Sequence, residues 1–338
     1  MADLTNRRIA LAKRRLTNIL TKHSVATMRT LEQKISDAGP TNQRIDPHLL
    51  TKAHLELERE GKLVRLQRAK SHWFHLAETN ENAVRQRLQV LEPIHDATLE
   101  GNFVRRLGQA LEIPVFKALQ GQTKLHFLGA FTDLSDHDDS SLYRKEEHPE
   151  YVNGLSMPQK KKLDFLIFRG EVVAGIEVKN TRPWVYPDSE EVVELIAKCC
   201  AINAVPILIA RRIHYATFSV LSNCGVILHQ TYNQRYPKAD EQLAALARDK
   251  NLLGYHDIRL GNDPDVRLIK FIHTNLPGLL DRFRESFENF MDLLRAYAQR
   301  EMGYREFAGR SKRRLRGEPE DLPPFEAPDE GEGGDDWI

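Results

Sequence analysis

In KLDFLIFRGEVVAGIEVKN, residues 162–180, two apolar, β-rich stretches flank an Arg-Gly turn, and Asp164, Glu177 and Lys179 interrupt them. Charges buried there without partners would cost several kcal/mol, so their placement asks for a purpose. Taking Arg169-Gly170 as the two-residue loop of a hairpin sets Phe168 opposite Glu171 and Asp164 opposite Gly175. Glu177 then lies diagonal to Asp164 on the same face, close enough for the two carboxylates to share one ion. Lys179 shares that face because strand side chains alternate with period two, while Val172, Ala174, Ile176 and Val178 point inward. In this register Gly175 leaves room beside Asp164. Two carboxylates meeting on a sheet suit a hard divalent cation such as Mg²⁺, with Mn²⁺ as its expected substitute. Such an ion stabilises charge on phosphoryl oxygens and activates water. A neighbouring lysine orients or helps deprotonate that water and neutralises developing charge. The chemistry indicated is phosphodiester hydrolysis; the competing use of the same charges is a structural ion pair of Lys179 with Asp164 or Glu177.

Positioning these groups requires a rigid frame, and the flanking sequence supplies one. HDATLEGNFVRRLGQALEI (95–113) has the spacing of an amphipathic helix burying Leu99, Phe103, Leu107 and Leu111. KLHFLGAFTDL follows as a strand, then a long polar stretch, 135–161, that reads as a loop, and then the hairpin 163–179. DSEEVVELIAKCCAINA is a helix with Asp188 or Ser189 as its cap and acids in its first turn. VPILIARR has the continuous apolar character of a buried parallel strand; YATFSVLSN is a short helix and GVILHQTY another strand. Helix, three strands, helix, strand, helix, strand describes an α/β domain with one mixed central sheet flanked by helices. A further helix spans roughly 276–301.

Asp164 followed by Glu177-Val178-Lys179, on the second and third strands of this order, resembles the PD-(D/E)XK, restriction-endonuclease-like nuclease superfamily over roughly residues 94–232. Leu163 stands where many members carry proline. The resemblance implies that Asp164 and Glu177 bind Mg²⁺ and that Lys179 serves catalysis. Some branches add a glutamate from the first helix, and Glu100 is the candidate for that place. It further implies a Mg²⁺-dependent endonuclease acting on DNA, in restriction or phage defence, with a junction-resolving repair nuclease as a variant. The class-distinct alternative is a non-catalytic DNA-binding regulator or accessory subunit that uses a nuclease-like domain for dimerisation.

The N-terminal region points to the polyanion. Residues 1–75 hold fifteen Lys/Arg against seven Asp/Glu, although the whole chain carries a net charge of only +1. Two helices within 7–37, a third over DPHLLTKAHLELERE capped by Asp46-Pro47, and two short strands joined by RAK resemble a winged helix-turn-helix. In that family the third helix enters a DNA groove and the wing touches phosphates, which nominates Lys52 on the helix and Arg68 and Lys70 at the hairpin tip. Arg211 and Arg212, at the end of the apolar strand, are further phosphate candidates, with capping of the strand as the alternative. Lys198 either faces the hairpin's charges or lies on its helix's polar surface. The DHDD run at 136–139 reads as solvated rather than metal-binding, and His214 and His229 as ordinary surface or interface residues.

The expected organisation is a DNA-binding domain at 1–79, a linker helix at 80–93, a nuclease domain with C-terminal helices at 94–305, and a basic, then acidic, disordered tail at 306–338. Residues 317–338 contain nine acids and no base, and the tail's end, Asp335-Asp336-Trp337-Ile338, suggests docking of a partner protein. No apolar run approaches the roughly 18 residues a membrane span needs. Three cysteines without metal or disulfide spacing fit a reducing cytoplasm. A homodimer is the expected assembly.

Overall fold

The computed structural model describes residues 2–37, 44–68, 70–149, 151–158 and 162–320. They fold as two compact units. Among these described residues, one unit comprises those up to 104 together with 241–258, and the other comprises 105–240 and 259–320.

The first unit runs α1 (Ala2–His23), β1 (Ala26–Thr27), α2 (Met28–Ile35), α3 (Pro47–Arg59), β2 (Leu63–Arg68), β3 (Ser71–Leu76) and α4 (Glu81–Ala97). Asp46 caps α3 by accepting from the His48 amide, with Pro47 at the first helical position, as the sequence pattern requires. The strands form an antiparallel sheet in the order β1-β3-β2, and Arg68 pairs with Ser71 at the hairpin's tip. Leu16, Leu20, Leu31, Leu50 and Phe74 join in one core. Strand β1 is two residues long and carries no pattern by which sequence could announce it. The helix Glu241–Arg248, remote in sequence, also belongs to this unit.

The helix expected from His95 onward is in fact divided. Helix α4 continues past the anticipated linker 80–93 to Ala97, and the Thr98 hydroxyl donates to the His95 carbonyl. A new helix, α5 (Gly101–Gln120), then begins. The second unit continues with β4 (His126–Leu128), β5 (Ala130–Phe131), β6 (Lys145–Glu146), β7 (Tyr151–Val152), β8 (Leu155–Ser156), β9 (Phe165–Arg169), β10 (Val172–Lys179), α6 (Glu190–Ala201), β11 (Val205–Ala210), α7 (Tyr215–Leu221) and β12 (Ile227–Gln230). Five strands form a mixed sheet in the order β12-β11-β10-β9-β4. β4, β9 and β10 are antiparallel neighbours, whereas β10, β11 and β12 run parallel. The polar stretch 135–161 is not wholly loop, since β6 pairs with β5 and β7 pairs with β8.

The hairpin's register differs from the expected one. Arg169 pairs with Val172, so Gly170-Glu171 form the loop and Gly175 faces Leu166. Gly170 has a φ of +57°, a conformation glycine adopts without cost. Each partner has moved by two residues, and an even shift leaves every side chain on its original face. The Asp164 amide donates to the Ile176 carbonyl, so the same register carried one step further brings Asp164 level with Glu177. The room expected beside Gly175 is filled. A Cβ there would lie 2.5 Å from Leu163 Cδ1 and 2.8 Å from Cys199 Sγ.

Both faces of β10 are covered, rather than one. Helix α6 brings Cys199 against Gly175 and Lys198 against Glu177. On the other face, Phe116 of α5 stacks on Phe165, the partner of Ile176. The helix Leu276–Ala298 packs against α6, β10 and β11. Part of the expected tail is also ordered. Tyr304–Leu315 is a helix, anchored by Phe307 stacked on Tyr297 at 4.6 Å and by two Arg314–Asp292 hydrogen bonds. Composition over the whole tail had hidden this short amphipathic anchor. The acidic segment 321–338 and its terminal Trp337-Ile338 lie outside the described residues.

Candidate active site

Asp164 precedes β9, and Glu177 and Lys179 lie at the end of β10. The Asp164 carboxylate accepts from the Val178 amide through Oδ2 at 2.7 Å, which locks it to β10. Its Oδ1 accepts from Lys145 Nζ, also at 2.7 Å. Lys145 donates in turn to Glu112 Oε2 at 2.7 Å. Glu177 is only 7% exposed. Its Oε1 accepts from Lys179 Nζ at 2.6 Å and its Oε2 from Lys198 Nζ at 2.8 Å. Lys198 spends a second proton on the Lys162 carbonyl. The charge placed inside the apolar hairpin is therefore paired, as burial demands.

Two members of this cluster, Glu112 and Lys145, are absent from the residues nominated by sequence. Glu112 lies in α5 between Leu111 and Ile113, each 1% exposed. An acid in such an apolar run is the same signal that marks Asp164, and it was available. Lys145 lies among polar neighbours and gives no sign in sequence. Glu100, nominated for the helix glutamate, instead accepts from the Phe103 amide at the start of α5. Twelve residues at about 1.5 Å rise put it about 18 Å along the helix from Glu112, so the two cannot exchange roles.

The electrostatics are those of neighbouring carboxylates in low dielectric. Burial, followed by repulsion from Asp164, pushes the Glu112 carboxyl up to about 7, with Lys145 opposing and Glu177 adding to the rise. For Lys179, burial pulls the ammonium's pKa down, but attraction from Glu177 and Asp164 prevails and raises it. The Lys145 ammonium is likewise raised, because Asp164 and Glu112 outweigh its desolvation. Three carboxylates face three ammonium groups. Glu112 and Asp164, bridged by the Lys145 ammonium, offer only oxygen donors, the type a hard divalent cation prefers, and Glu177 adds oxygens nearby. The ammonium between Glu112 and Asp164 shows that this pair already accommodates positive charge.

The remaining candidates separate cleanly. Lys52 is exposed on α3, and Arg68 and Lys70 are exposed at the tip of the β2–β3 hairpin. Arg211 is 2% exposed and donates to the carbonyls of Thr181 and Arg182, which corrects its reading as a phosphate contact. Arg212, 7% exposed, lies over the Tyr232 ring at 5.1 Å. Asp139 of the DHDD run is buried rather than solvated, and accepts from the Tyr143 hydroxyl and the Lys238 amide. His214 caps α7 and stacks on Tyr186, while His229 stacks on Phe271 and is pushed down to about 4, chiefly by burial.

No protein-family model, curated protein or solved structure matches the chain.

Proposed function

We propose that the second unit is a metal-dependent nuclease of the PD-(D/E)XK kind that hydrolyses phosphodiester bonds in DNA, and that the first unit is a winged helix that brings it to the duplex. The observation that carries this reading is the Glu112–Lys145–Asp164 bridge beside the Glu177–Lys179 pair at one end of the β9–β10 hairpin. The frame around them, a helix, three antiparallel strands and a parallel α-β extension, supports it.

Asp164, Glu177 and Glu112 would hold Mg²⁺, which when bound supplies charge stabilisation at the phosphoryl oxygens and a more acidic water. Asp164 is oriented by the Val178 amide, and Glu177 by Lys198, so the protein fixes both carboxylates before any ligand arrives. The raised pKa of Lys179 keeps it an ammonium at neutral pH. As an ammonium paired with Glu177 it is placed to donate to a phosphoryl oxygen or to the attacking water and to offset charge.

In the first unit, the later turns of α3 carry Glu56 and Glu60 paired with Lys13, and Glu58 beside Arg65. That acidic face is neutralised by its own neighbours. The earlier turns, with Thr51, Lys52 and Leu55 exposed, together with Arg68 and Lys70 of the wing, form the DNA-facing surface in this reading. Restriction or phage defence is the biological setting proposed, with junction-resolving repair as the variant.

A second reading has an observation in its favour. Every oxygen of Asp164 and Glu177 already has a hydrogen-bond donor, as in a charge-balanced structural cluster of a non-catalytic regulator. Incubation of the full chain with duplex DNA, a four-way junction and RNA, in Mg²⁺ and in EDTA, separates the two. Cleavage in Mg²⁺ alone supports the nuclease. Absence of cleavage on every substrate, with intact DNA binding, supports the regulator.

A further inference from the structure

Lys145 has the surroundings of a bound ion. Its ammonium lies 2.7 Å from Glu112 Oε2 and 2.7 Å from Asp164 Oδ1, and its side chain is 14% exposed. The rings of Phe131 and Phe165 flank it, with centroids at 6.0 and 5.5 Å, a favourable setting for an organic cation. It is delivered from outside the five-stranded sheet, on β6, where it pairs with Phe131 of β5. Gly129 makes that delivery possible. Its φ is +102°, and a Cβ there would come within 2.9 Å of the Asp164 carbonyl oxygen, so the chain passes directly against the Asp164 backbone. Further along, His148 Nε2 lies 3.1 Å from both the backbone nitrogen and oxygen of Leu163, tying this excursion back beside Asp164.

The function proposed above gives Lys145 no task, yet its position conflicts with the metal. Mg²⁺ requires oxygen ligands at about 2.0–2.1 Å in near-octahedral array, and Phe131 and Phe165 offer none. An ammonium and a divalent ion held by the same carboxylate oxygens would also repel strongly at this burial. One must yield. The β5–β6 bridge is only two residue pairs long, so releasing it sacrifices little structure.

We propose that Lys145 is a tethered counter-ion: the Glu112–Asp164 pair holds either its ammonium or a divalent cation, and metal loading displaces Lys145 together with the β5–β6 bridge. The inference rests on the metal reading of the site. It explains how three carboxyl groups, each 15% exposed or less, fold without metal, since Lys145, Lys179 and Lys198 are paired with them. It also makes metal affinity a property of the excursion between β4 and β9.

Calorimetric titration of the full chain with Mn²⁺, comparing the native protein with Lys145→Met and Lys145→Arg, tests the proposal. Displacement predicts that Lys145→Met binds about tenfold tighter or more, while Lys145→Arg, which keeps the charge, gains nothing. Asp164→Asn should abolish binding and so place the ion. Amide hydrogen exchange on the native chain provides a measurement that needs no variant. Saturating Mn²⁺ should speed exchange at residues 144–147. Native binding with Lys145→Met equal or weaker, or exchange unchanged at 144–147 on saturation, would overturn the counter-ion while leaving the metal site standing. No binding by the native chain or by a folded Lys145→Met would overturn both.

Discussion

At the scale of single residues, burial and charge decide what the site can do. Asp164, Glu177 and Lys179 were legible because charge inside an apolar β run is expensive and must be matched. The same rule would have found Glu112, which stands between Leu111 and Ile113. Glu100, by contrast, stands at the start of the helix, where a carboxylate more often caps a backbone amide, as it does for Phe103. Lys145 was not legible, since its role comes from a tertiary approach and its local sequence is ordinary. Glu112 yields a pH prediction. Its carboxyl is raised from 4.5 to about 7, so between those values the folded chain holds a proton that the unfolded chain has released. The stability this gives is full below about 4.5 and is lost as pH rises through about 7. Thermal unfolding of the metal-free chain should therefore show the native Tm falling across that window relative to Glu112→Gln, which has no proton to lose. Parallel Tm profiles for the two proteins would contradict it.

At the scale of elements, the order of helices and strands could be read from periodicity, and the sheet's mixed topology followed from it. The register could not, because Gly170 can serve as the second residue of an Arg169-Gly170 loop or the first of a Gly170-Glu171 loop. Asp164, Glu177 and Lys179 still converge because an even shift preserves faces. The covering of both faces of β10 was harder to see, as Glu177 and Lys179 gave that face a solvent-like appearance that Lys198 in fact satisfies from α6. Gly129 is the element-level weak point. Alanine there adds a strained φ and a clash with backbone rather than with a flexible side chain, at a cost of about 1–3 kcal/mol. Urea unfolding of Gly129→Ala should show that loss, whereas Gly170→Ala, whose Cβ meets nothing within 4 Å, should lose less because only the φ is strained. Equal losses would mean that the close passage over Asp164 carries no structural weight.

At the scale of the whole molecule, charge segregation was plain in sequence, and the structure refines it. Lys13, Lys62 and Arg65 are engaged with the acids of α3, while Lys52, Arg68 and Lys70 remain exposed. Reversing Arg68 and Lys70 together should weaken duplex binding and lower the slope of log affinity against log salt by about 2, close to one for each phosphate no longer neutralised. An unchanged slope would remove the β2–β3 hairpin tip from the proposed DNA-binding surface. The nine acids of 317–338 make a separate claim, since an acidic tether competing with DNA for the basic unit would act mainly at low salt. Deletion of that segment should then tighten binding at low salt and leave it unchanged at high salt, measured by titration at two salt concentrations. Identical curves would leave docking or solubility as its role. For the cluster at the end of the β9–β10 hairpin, on which the proposed function turns, the most direct test is cleavage of duplex DNA by the full chain in Mg²⁺ beside Asp164→Ala. The expected result is cutting by the native chain, none in EDTA, and a loss of at least about a hundredfold in the folded Asp164→Ala variant; full activity in EDTA, or undiminished cutting by Asp164→Ala, would contradict it.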